Sequence, residues 1–320
     1  MNGDVNSITI KGQRYTPEME GEWNGFVAKA RNATFLFNRR YMDYHSDRFA
    51  DCSIVFRKKG SVRGLLPLNI DGDTAWSHQG LTYGGLIVDD KAVVADVMQM
   101  FSVACDMLRS EGVRRVIYKA LPWIYHRLPT EEDLYVLTWQ CGARLLSRDI
   151  SSTIATGNNL RFSESRMSGV RKALAAGITI EESDDMAVFW TILENNLSQR
   201  YCTRPVHSLS EIQTLKSRFP DNIRLFVARM KQTVVGGTVI YEMGETIHTQ
   251  YISASPEGKE NGALDLLFHH IINNRYKHCR YFDFGKSTEQ GGKYLNSSLI
   301  FQKQGFGGRG VCYDTYEWEL

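Results

Sequence analysis

The sequence lacks the features that mark exported, membrane-spanning and disulfide-stabilised proteins. Its opening stretch, MNGDVNSITIKG, has no apolar core of signal-peptide length, so we do not expect export. No apolar run approaches the roughly 18 residues that a membrane-spanning helix needs. The six cysteines are scattered without a CxxC pair, which favours reduced thiols over a disulfide framework or a zinc site. The sequence therefore predicts a cytoplasmic protein with no membrane span and no metal.

A strong charge of either sign is also missing. Lysine and arginine number 38 against 36 aspartate and glutamate residues, which gives a net charge of +2. Nucleic-acid-binding domains usually carry a larger and more clustered positive charge. This balance neither requires nor excludes a polyanionic partner. The 320 residues, 42% hydrophobic and 23% charged, are typical of a globular chain long enough for two domains.

What the sequence does contain is one order of elements that occurs twice. In the second half, a basic helix over 163–177 precedes a strand, two helices, a three-stranded meander, and then alternating helices and strands. The first half predicts nearly the same order. Its elements include a strand at 7–10, a hairpin over 51–70, a further strand over 74–88 and a helix over 91–111.

This repetition predicts an α+β (mixed α/β) fold made of two domains, residues 1–156 and 157–320. Each domain would carry a central mixed, mostly antiparallel sheet flanked by helices. In the second domain the predicted elements that follow the meander include helices over 261–276 and 291–304.

Several stretches carry a resemblance to a known family. They include SHQGLTYGGLIV in the first half, and HTQYISASPEGKENGALDLLFHHII and YFDFGKSTEQGG in the second. With the element order, they resemble the GNAT acyltransferase fold. Two copies in one chain resemble the FemAB-like tandem GNAT proteins, which include the peptidyltransferases that build peptidoglycan bridges. The resemblance implies an N-acyltransferase that moves an acyl group, expected to be acetyl, from acyl-CoA to an amine of a cell-envelope or surface-glycan precursor by direct attack.

The resemblance also implies where the donor binds. In a GNAT domain the fourth and fifth strands part, coenzyme A enters the opening, and its pyrophosphate lies on N–H groups before the next helix. The matching positions are Gly258, Lys259, Asn261, Gly262 and Ala263. Glycine permits close approach of the backbone, and the lysine supplies a cation. An ordinary strand-to-helix turn is the alternative interpretation.

Acyl transfer to an amine needs a proton acceptor, donors for the tetrahedral oxyanion and a proton for the leaving group. His248 in the fourth strand is the candidate base, and Asp283 near the end of the fifth strand is a carboxylate that orients or deprotonates the amine. Tyr294, at the expected start of the fourth helix, is the candidate acid for a departing thiolate. The N–H groups of Tyr251 and Ile252 are the candidate oxyanion donors. Each of these three side chains also has an ordinary structural interpretation.

The acceptor side is predicted from both halves. Asp89 and Asp90 occupy the phosphate position of the first copy, so the donor is expected on the second copy, with the first as a lid or acceptor platform. Lys303 falls where Fem-type enzymes have a basic F-K-x-x-F-like segment, which here reads FQKQGF. The candidate substrate-binding residues are His78, Tyr83, Tyr125, Arg200, Tyr201 and Lys303.

Two alternative functions remain open. An aminoacyl-tRNA donor, as in the bridge-forming relatives, would require a basic track, of which SESRMSGVRKALAAG is the visible piece. A non-catalytic binding protein on a GNAT scaffold is the other, because a fold alone does not settle activity. The sequence has no G-x-S-x-G nucleophile motif, which favours direct attack over a covalent intermediate.

Overall fold

The computed structural model describes residues 9–201 and 203–320, without the side chains of Arg200 and Tyr201. Contacts divide the described chain into two units. Unit 1 contains the residues up to Arg148 together with Cys312–Leu320, and unit 2 is Asp149–Val311. The sequence predicted that the second domain begins at residue 157. In the structure unit 2 begins at Asp149, eight residues earlier, and the C-terminal residues Cys312–Leu320 belong to unit 1. The predicted strand at 7–10 falls mostly outside the described residues.

The helices and strands follow in chain order. Those that begin in unit 1 are β1 (Lys11–Arg14), α1 (Glu20–Val27), α2 (Arg39–Met42), β2 (Ala50–Asp51), β3 (Ile54–Lys58), β4 (Ser61–Leu66), β5 (Asn69–Asp71), β6 (Thr74–Trp76), β7 (Ile87–Val88), α3 (Val94–Ser110), β8 (Arg115–Lys119), α4 (Glu132–Trp139) and β9 (Arg144–Ala155). Those that begin in unit 2 are α5 (Glu164–Ala175), β10 (Ile178–Ser183), α6 (Met186–Tyr201), α7 (Leu209–Arg218), β11 (Ile223–Met230), β12 (Thr233–Met243), β13 (Thr246–Ala254), α8 (Pro256–Glu260), α9 (Ala263–His270), β14 (Tyr281–Lys286), β15 (Thr288–Glu289), β16 (Tyr294–Leu295), α10 (Ser297–Gly305) and β17 (Arg309–Glu319).

Unit 1 is organised around α3. Strands β1, β3, β4 and β7 form one sheet, and β17, β8, β6, β5 and β2 are successive neighbours in another. Apolar side chains of α3 recur every three or four residues and are buried, as an amphipathic helix requires. They join the main core of the unit, together with side chains such as Phe56, Val116 and Trp318. The buried apolar residues of α3 are Val97, Met100, Phe101, Ala104, Cys105 and Leu108.

Unit 2 is built on strands in the order β10-β11-β12-β13-β14-β9. Neighbouring strands are antiparallel except β13 and β14, which are parallel. A parallel pair needs a crossover connection, and α9 supplies it. The buried face of α9 and the turn after it, with Leu267, Phe268 and Ile271, packs in one cluster with Phe282 and Phe284 of β14. The mixed, mostly antiparallel α+β fold predicted from the sequence is confirmed.

Several helices and strands are shorter in the structure than the sequence predicted. The predicted helix over 291–304 begins as α10 only at Ser297, because the side chain of Asn296 accepts the N–H of Leu299 at 3.1 Å and caps the helix there. The predicted strand over 74–88 is broken into β6 and β7. The predicted helix over 261–276 ends as α-helix at His270, where a π-helical turn follows. Among the described residues, no helix combines the length and apolar character that a membrane crossing requires.

Candidate active site

The candidate active site lies where β13 and β14 part. Their parallel pairing starts at Thr246 opposite Tyr281 and ends at His248 opposite Asp283, although β13 continues to Ala254. Beyond His248 the edge of β13 therefore borders an opening in the sheet. This is the arrangement that the GNAT resemblance implied for the second copy.

A β-bulge lies directly beyond the last paired position. Thr249 and Tyr251 face neighbouring residues of β12, Ile240 and Val239, so Gln250 is an extra residue on β13. A bulge bends its strand and increases the local twist. We attribute the departure of β13 from β14 in part to this bend.

A cavity of about 180 Å³ occupies the opening. Side chains of α6, α9 and α10 surround it, and the end of β13 forms one wall. Most of the lining is apolar, which suits an acyl or alkyl chain. The lining residues with polar side chains are Asn196, Ser253, Lys259, Gln302 and Lys303, and the apolar ones are Leu193, Leu197, Ile252, Ala254, Leu264, Phe268, Phe284, Leu299 and Phe306.

His248 and Asp283 form a buried pair at the last paired position. Nδ1 of His248 lies 2.8 Å from Oδ2 of Asp283, and the carboxylate is fully buried. The hydroxyls of Ser151 and Thr153 both donate to Oδ1, Thr153 at 2.7 Å. The N–H of Gly285 donates to Oδ2 at 3.2 Å. Two of the predicted catalytic residues are therefore in direct contact.

The hydrogen bonds around Asp283 keep it ionised. Burial by itself would raise its pKa, but the hydrogen bond and charge of His248, with the Ser151 and Thr153 hydroxyls, outweigh burial and hold the pKa below its ordinary value. An ionised carboxylate beside Nδ1 selects the tautomer of His248 with its proton on Nδ1. Gly285 has φ +71°, and a Cβ there would lie 3.2 Å from Cε1 of the imidazole.

Lys303 is a buried cation that lines the cavity. It is 3% exposed, and its Nζ donates to the carbonyls of Gly285 and Lys286, both at 2.8 Å. Desolvation lowers the pKa of Lys303 to about 8, while the nearby charge of Asp283 acts in the opposite direction. An ammonium group has three N–H donors. Two of these N–H groups donate to carbonyl oxygens, and the third can donate to a group bound in the cavity.

The loop that the sequence assigned to a pyrophosphate has most of its N–H groups in use. Ser255 caps α8, and its hydroxyl accepts the N–H of Gly258 at 3.1 Å. The N–H groups of Lys259, Asn261 and Gly262 donate to carbonyls of the same turn at 2.9, 3.1 and 3.4 Å. These four N–H groups are satisfied by the protein itself, so they are not available to the pyrophosphate of coenzyme A as the loop stands.

Close packing explains both glycines of this loop. A Cβ on Gly258 would lie 2.0 Å from the carbonyl oxygen of Val235 in β12. A Cβ on Gly262 would lie 2.4 Å from the carbonyl oxygen of Gly169 in α5, and Gly262 also has φ +71°. The glycines that predicted a phosphate site are therefore required by the approach of neighbouring backbone.

The first turn of α9 already holds a negative charge. Asp265 is buried there and pairs with Arg166 of α5 at 2.8 Å. An acidic group at this position is stabilised by the helix dipole. Ala263, the first residue of the helix, has no exposed surface. An anionic ligand at the start of α9 would have to compete with this carboxylate.

Lys259 instead belongs to the rim of the cavity. Its Nζ donates to Oδ1 of Asn196 in α6. The amide nitrogen of Asn196 donates to Oγ of Ser253 at 2.7 Å and to the carbonyl of Ala254 at 2.8 Å. These bonds fasten α6 to the end of β13 and complete one wall. Ile252, a predicted oxyanion position, lines the cavity beside them.

The two tyrosines predicted for unit 2 differ in their surroundings. The hydroxyl of Tyr251 lies 2.6 Å from Nδ1 of His207, its ring packs on Trp190, and burial raises its pKa to about 12. Tyr294 does not open a helix but lies in the short strand β16, 53% exposed and outside the residues that line the cavity. Tyr294 is therefore not at a helix start, and its role as the acid stays a prediction.

The predicted substrate-binding residues of unit 1 are buried in its interior. The Tyr83 ring packs on Tyr125 at 4.9 Å, and the hydroxyl of Tyr125 lies 2.8 Å from that of Tyr313. His78 is 3% exposed, and burial lowers its pKa to about 3. A role of these three residues in substrate binding stays a prediction. The side chains of Arg200 and Tyr201 lie outside the described residues.

Unit 1 contains a second parallel pair, β6 and β8, joined by α3. Here the chain itself fills the place where the strands would part. The N–H of Ser77 donates to the carbonyl of Ile117 at 2.8 Å, and the N–H of Gly84 donates to that of Lys119 at 2.9 Å. A Cβ on Gly84 would lie 1.6 Å from the carbonyl oxygen of Ser77. The glycines of TYGG therefore let this segment close the first copy's opening.

Sequence reasoning missed the residues that orient the pair. Ser151 and Thr153 alternate along β9 in the stretch DISSTIA, and Asn196 lies in a helix without a recognisable motif. An alternating pair of hydroxyls in a strand was the available signal, but its target is more than 130 residues away in the sequence. The described residues contain no cluster of three or more histidine, cysteine, aspartate or glutamate side chains arranged for a metal ion.

Comparison with known proteins agrees with this geometry. Residues 162–294, which lie in unit 2, match the family model of an acetyltransferase (GNAT) domain. A search of curated proteins finds no match. The residues that carry the His248–Asp283 pair and the open end of β13 all lie within the matched segment. The second half of the chain therefore carries a segment that matches an acetyltransferase (GNAT) domain.

Solved structures resemble the chain over nearly its whole length. FemX superposes with a TM-score of 0.68 at 13% identity, covering 97% of each chain. The C-terminal domain of a protein assigned as a lysylphosphatidylglycerol synthetase in Agrobacterium fabrum gives 0.61 at 11%, covering 94% of this chain and 92% of that one. A tandem GNAT protein from the clavulanic acid biosynthesis pathway gives 0.51 at 13%, covering 97% and 98%. The shared fold is the FemAB-like tandem GNAT architecture.

We predict that Asp283→Asn lowers the free energy of unfolding by about 2–4 kcal/mol, because a buried charged acceptor with several donors is replaced by a neutral amide. The pKa of Asp283 is depressed in the folded state. Its stabilisation is therefore present above the unfolded pKa near 4 and is lost as the pH falls below it. Urea denaturation from about pH 7 to 3 measures both effects.

The exposed carboxylate of Asp221 provides the matched control. Asp221→Asn should leave the unfolding free energy within about 0.5 kcal/mol of wild type. Equal stability of Asp283→Asn and wild type at neutral pH would contradict the view that this carboxylate organises the site.

The packing of the loop glycines gives a second prediction. Gly258→Ala and Gly262→Ala should each destabilise the protein by about 2 kcal/mol or more, because the new methyl group meets backbone carbonyls. Gly157→Ala is the control, since no atom lies within 4 Å of a Cβ at that position. Thermal and urea unfolding are the measurements. Unchanged stability of both loop variants would restore a ligand-binding explanation for the glycines.

Proposed function

We propose that the chain is an N-acyltransferase in which an acceptor amine directly attacks an activated acyl group at the open end of β13. The observation that carries this proposal is the buried His248–Asp283 pair at the last paired position, together with Lys303, which lines the apolar cavity and whose charge interacts with that of Asp283. A base, a cation and a hydrophobic slot in one place are what aminolysis of an acyl ester or thioester requires.

His248 is proposed as the base that takes the proton from the attacking amine. Its Nδ1–H donates to Asp283, which leaves the basic lone pair on Nε2. Asp283 orients the imidazole and stabilises the positive charge that forms on it. A carboxylate that is hydrogen-bonded to a catalytic histidine has this role in general. No covalent intermediate on the protein is needed, because the amine attacks the acyl carbon itself.

Lys303 is proposed to stabilise negative charge on the reacting acyl group or its leaving group. Carbonyls of Gly285 and Lys286 hold Nζ in place. A fixed ammonium in a desolvated cavity interacts with a developing oxyanion more strongly than a solvated lysine would. N–H groups of β13 beyond the bulge, where Tyr251 and Ile252 lie, remain the proposed oxyanion donors.

The proposed donor rests on the hydrogen bonds inside the loop. An acyl-CoA donor, the first expectation from the sequence, would find the apolar slot but fewer N–H groups for its pyrophosphate, since those of Gly258, Lys259, Asn261 and Gly262 are paired internally. An aminoacyl ester of tRNA, the alternative donor, has no pyrophosphate and does not need these N–H groups. The occupied loop therefore favours the aminoacyl ester. The proposed acceptor is an amine of a cell-envelope or surface-glycan precursor.

The pH dependence should report the charge of Lys303. With a pKa of about 8, Lys303 is charged below that pH, and we expect the rate of transfer to fall as the pH rises through it. Lys303→Met should lower kcat about 100-fold or more at pH 7, by the magnitude typical of a lost oxyanion-stabilising group. Lys303→Arg should move the decline to higher pH, because arginine stays protonated.

The exposed Lys293 serves as the control for these variants. Lys293→Met should retain wild-type kcat and the wild-type pH profile. The proposed role of Lys303 fails if Lys303→Met and Lys293→Met have the same kcat at pH 7.

The donor is tested with acetyl-CoA and with a mixture of aminoacylated tRNAs as probes, against a panel of amino-sugar nucleotides and peptide amines. We expect acyl transfer from the aminoacyl esters, and we expect calorimetry to detect no saturable binding of acetyl-CoA below about 1 mM. Retention of tRNA should fall steeply with added salt. His248→Gln should reduce transfer by about 100-fold or more.

The two parts of the proposal fail separately. Micromolar binding and turnover of acetyl-CoA would overturn the donor assignment and leave direct amine attack in place. Wild-type transfer by His248→Gln would overturn the assignment of the base. A protein that transfers no acyl group from either class of donor would support the non-catalytic alternative.

A further inference from the structure

We propose that Cys105 and Cys141 of unit 1 form a redox-active dithiol site that reacts with hydroperoxides and closes an intramolecular disulfide. This site is separate from the acyltransferase chemistry and does not rest on the function proposed above. It joins α3 to the turn that follows α4.

Both thiols open into the same cavity of about 220 Å³ on unit 1. Cys105 lies on the inner side, 9% exposed, and Cys141 is partly exposed at the rim. The two thiols interact, since each shifts the pKa of the other. The remaining lining is largely polar, with Arg109, Gln140 and others, so a small polar oxidant has access to the sulfur atoms. Both cysteines are free thiols.

The local fold holds the two sulfur atoms together. The side-chain amide of Gln140 donates to the carbonyl of Met98 in α3 at 2.9 Å, which ties the end of α4 to α3. The N–H of Cys141 donates to the carbonyl of Val136 and closes the last turn of α4 at 3.1 Å. Gly142 follows with φ +63°, where glycine is favoured. Cys141 therefore sits in a turn, where a small backbone adjustment can bring its sulfur onto Cys105.

The surroundings favour Cys105 as the attacking thiolate. The hydrogen bond from Cys141 lowers the pKa of Cys105 and outweighs the opposing effect of burial. The charge of Arg109, one helical turn away, acts in the same direction, and that of Asp106 opposes it. The same hydrogen bond raises the pKa of Cys141. A thiolate paired with a resolving thiol is the arrangement of redox-sensing cysteines.

The chemistry balances in two steps. The Cys105 thiolate attacks one oxygen of a hydroperoxide, the O–O bond breaks, and the products are a sulfenic acid on Cys105 and, after protonation, an alcohol or water. The Cys141 sulfur then attacks the sulfenic sulfur, which forms the S–S bond and releases water. The two thiols lose two electrons in total, and the peroxide is the species reduced. An external dithiol reverses the reaction by exchange.

The other described cysteines lack these features. Burial raises the pKa of Cys52 to about 12 and that of Cys279 to about 11. Cys312 is exposed on β17 and does not line the cavity. Cys312 is therefore the matched control for exposure without a paired thiol.

The test treats the full-length, reduced protein with a small excess of hydrogen peroxide at pH 7 and follows its thiols by alkylation and peptide mapping. We expect a disulfide-linked peptide pair that contains Cys105 and Cys141 and reverts with dithiothreitol. Cys105 should react about tenfold faster than Cys312, because the neighbouring thiol lowers the pKa of Cys105. Cys141→Ser should stop at a sulfenic acid on Cys105 that a dimedone-type reagent traps.

Two further variants complete the design. Cys312→Ser should form the Cys105–Cys141 disulfide at the wild-type rate, and Cys105→Ser should leave Cys141 reduced under the same conditions. Circular dichroism of each variant confirms that it is folded. The proposal is overturned if the mapped peptides of folded wild-type protein show no link between Cys105 and Cys141, or if Cys312 is oxidised first.

Discussion

The carboxylate of Asp283 is the constraint on which the candidate site depends. An unpaired buried charge costs several kcal/mol, so this fully buried group requires its donors to be in place. The donors come from Ser151 and Thr153 of β9, from His248 of β13 and from the N–H of Gly285 in β14 itself. One ionised side chain thus ties three strands together at the position where β13 and β14 stop pairing. The same bonds fix the imidazole, so structural integrity and proposed chemistry share one set of contacts.

The two copies of the fold show why a parallel strand pair alone does not make a site. In unit 1, Gly84 has no side chain, and the segment that contains it hydrogen-bonds along β8 and fills the space beside that strand. In unit 2, the bulge at Gln250 bends β13 outward, and no segment of comparable small residues follows it directly. The space is lined by side chains of α6 and α10 instead. The cavity described above lies at the parted strands of unit 2, whose residues 162–294 match the GNAT domain model.

The sequence was sufficient for features set by local periodicity. Alternating apolar residues and glycine turns predicted the order of elements, and the GNAT resemblance put His248 and Asp283 on neighbouring strands, where the two side chains are in contact. It was insufficient where the cause is a long-range contact. Gly258 was predicted to bind a ligand, because the sequence does not show that the carbonyl of Val235 in β12 approaches it. That carbonyl leaves no room for a side chain at Gly258. Tyr294 was placed at a helix start because the cap at Asn296 was not recognised.

The charges of the cavity fit an anionic reaction intermediate better than a neutral ligand. The charge of Asp283 is stabilised by hydrogen bonds, including the one with His248, and it favours the protonated form of Lys303. Desolvation nevertheless disfavours the charge of Lys303. The carbonyl oxygens of Gly285 and Lys286 offset this cost only in part, because they carry partial charges. In the proposed reaction, a negative charge that develops beside Nζ would add to the favourable effect of Asp283 on the lysine charge. The interaction gained is then larger in the transition state than in the ground state, and this difference is what accelerates a reaction.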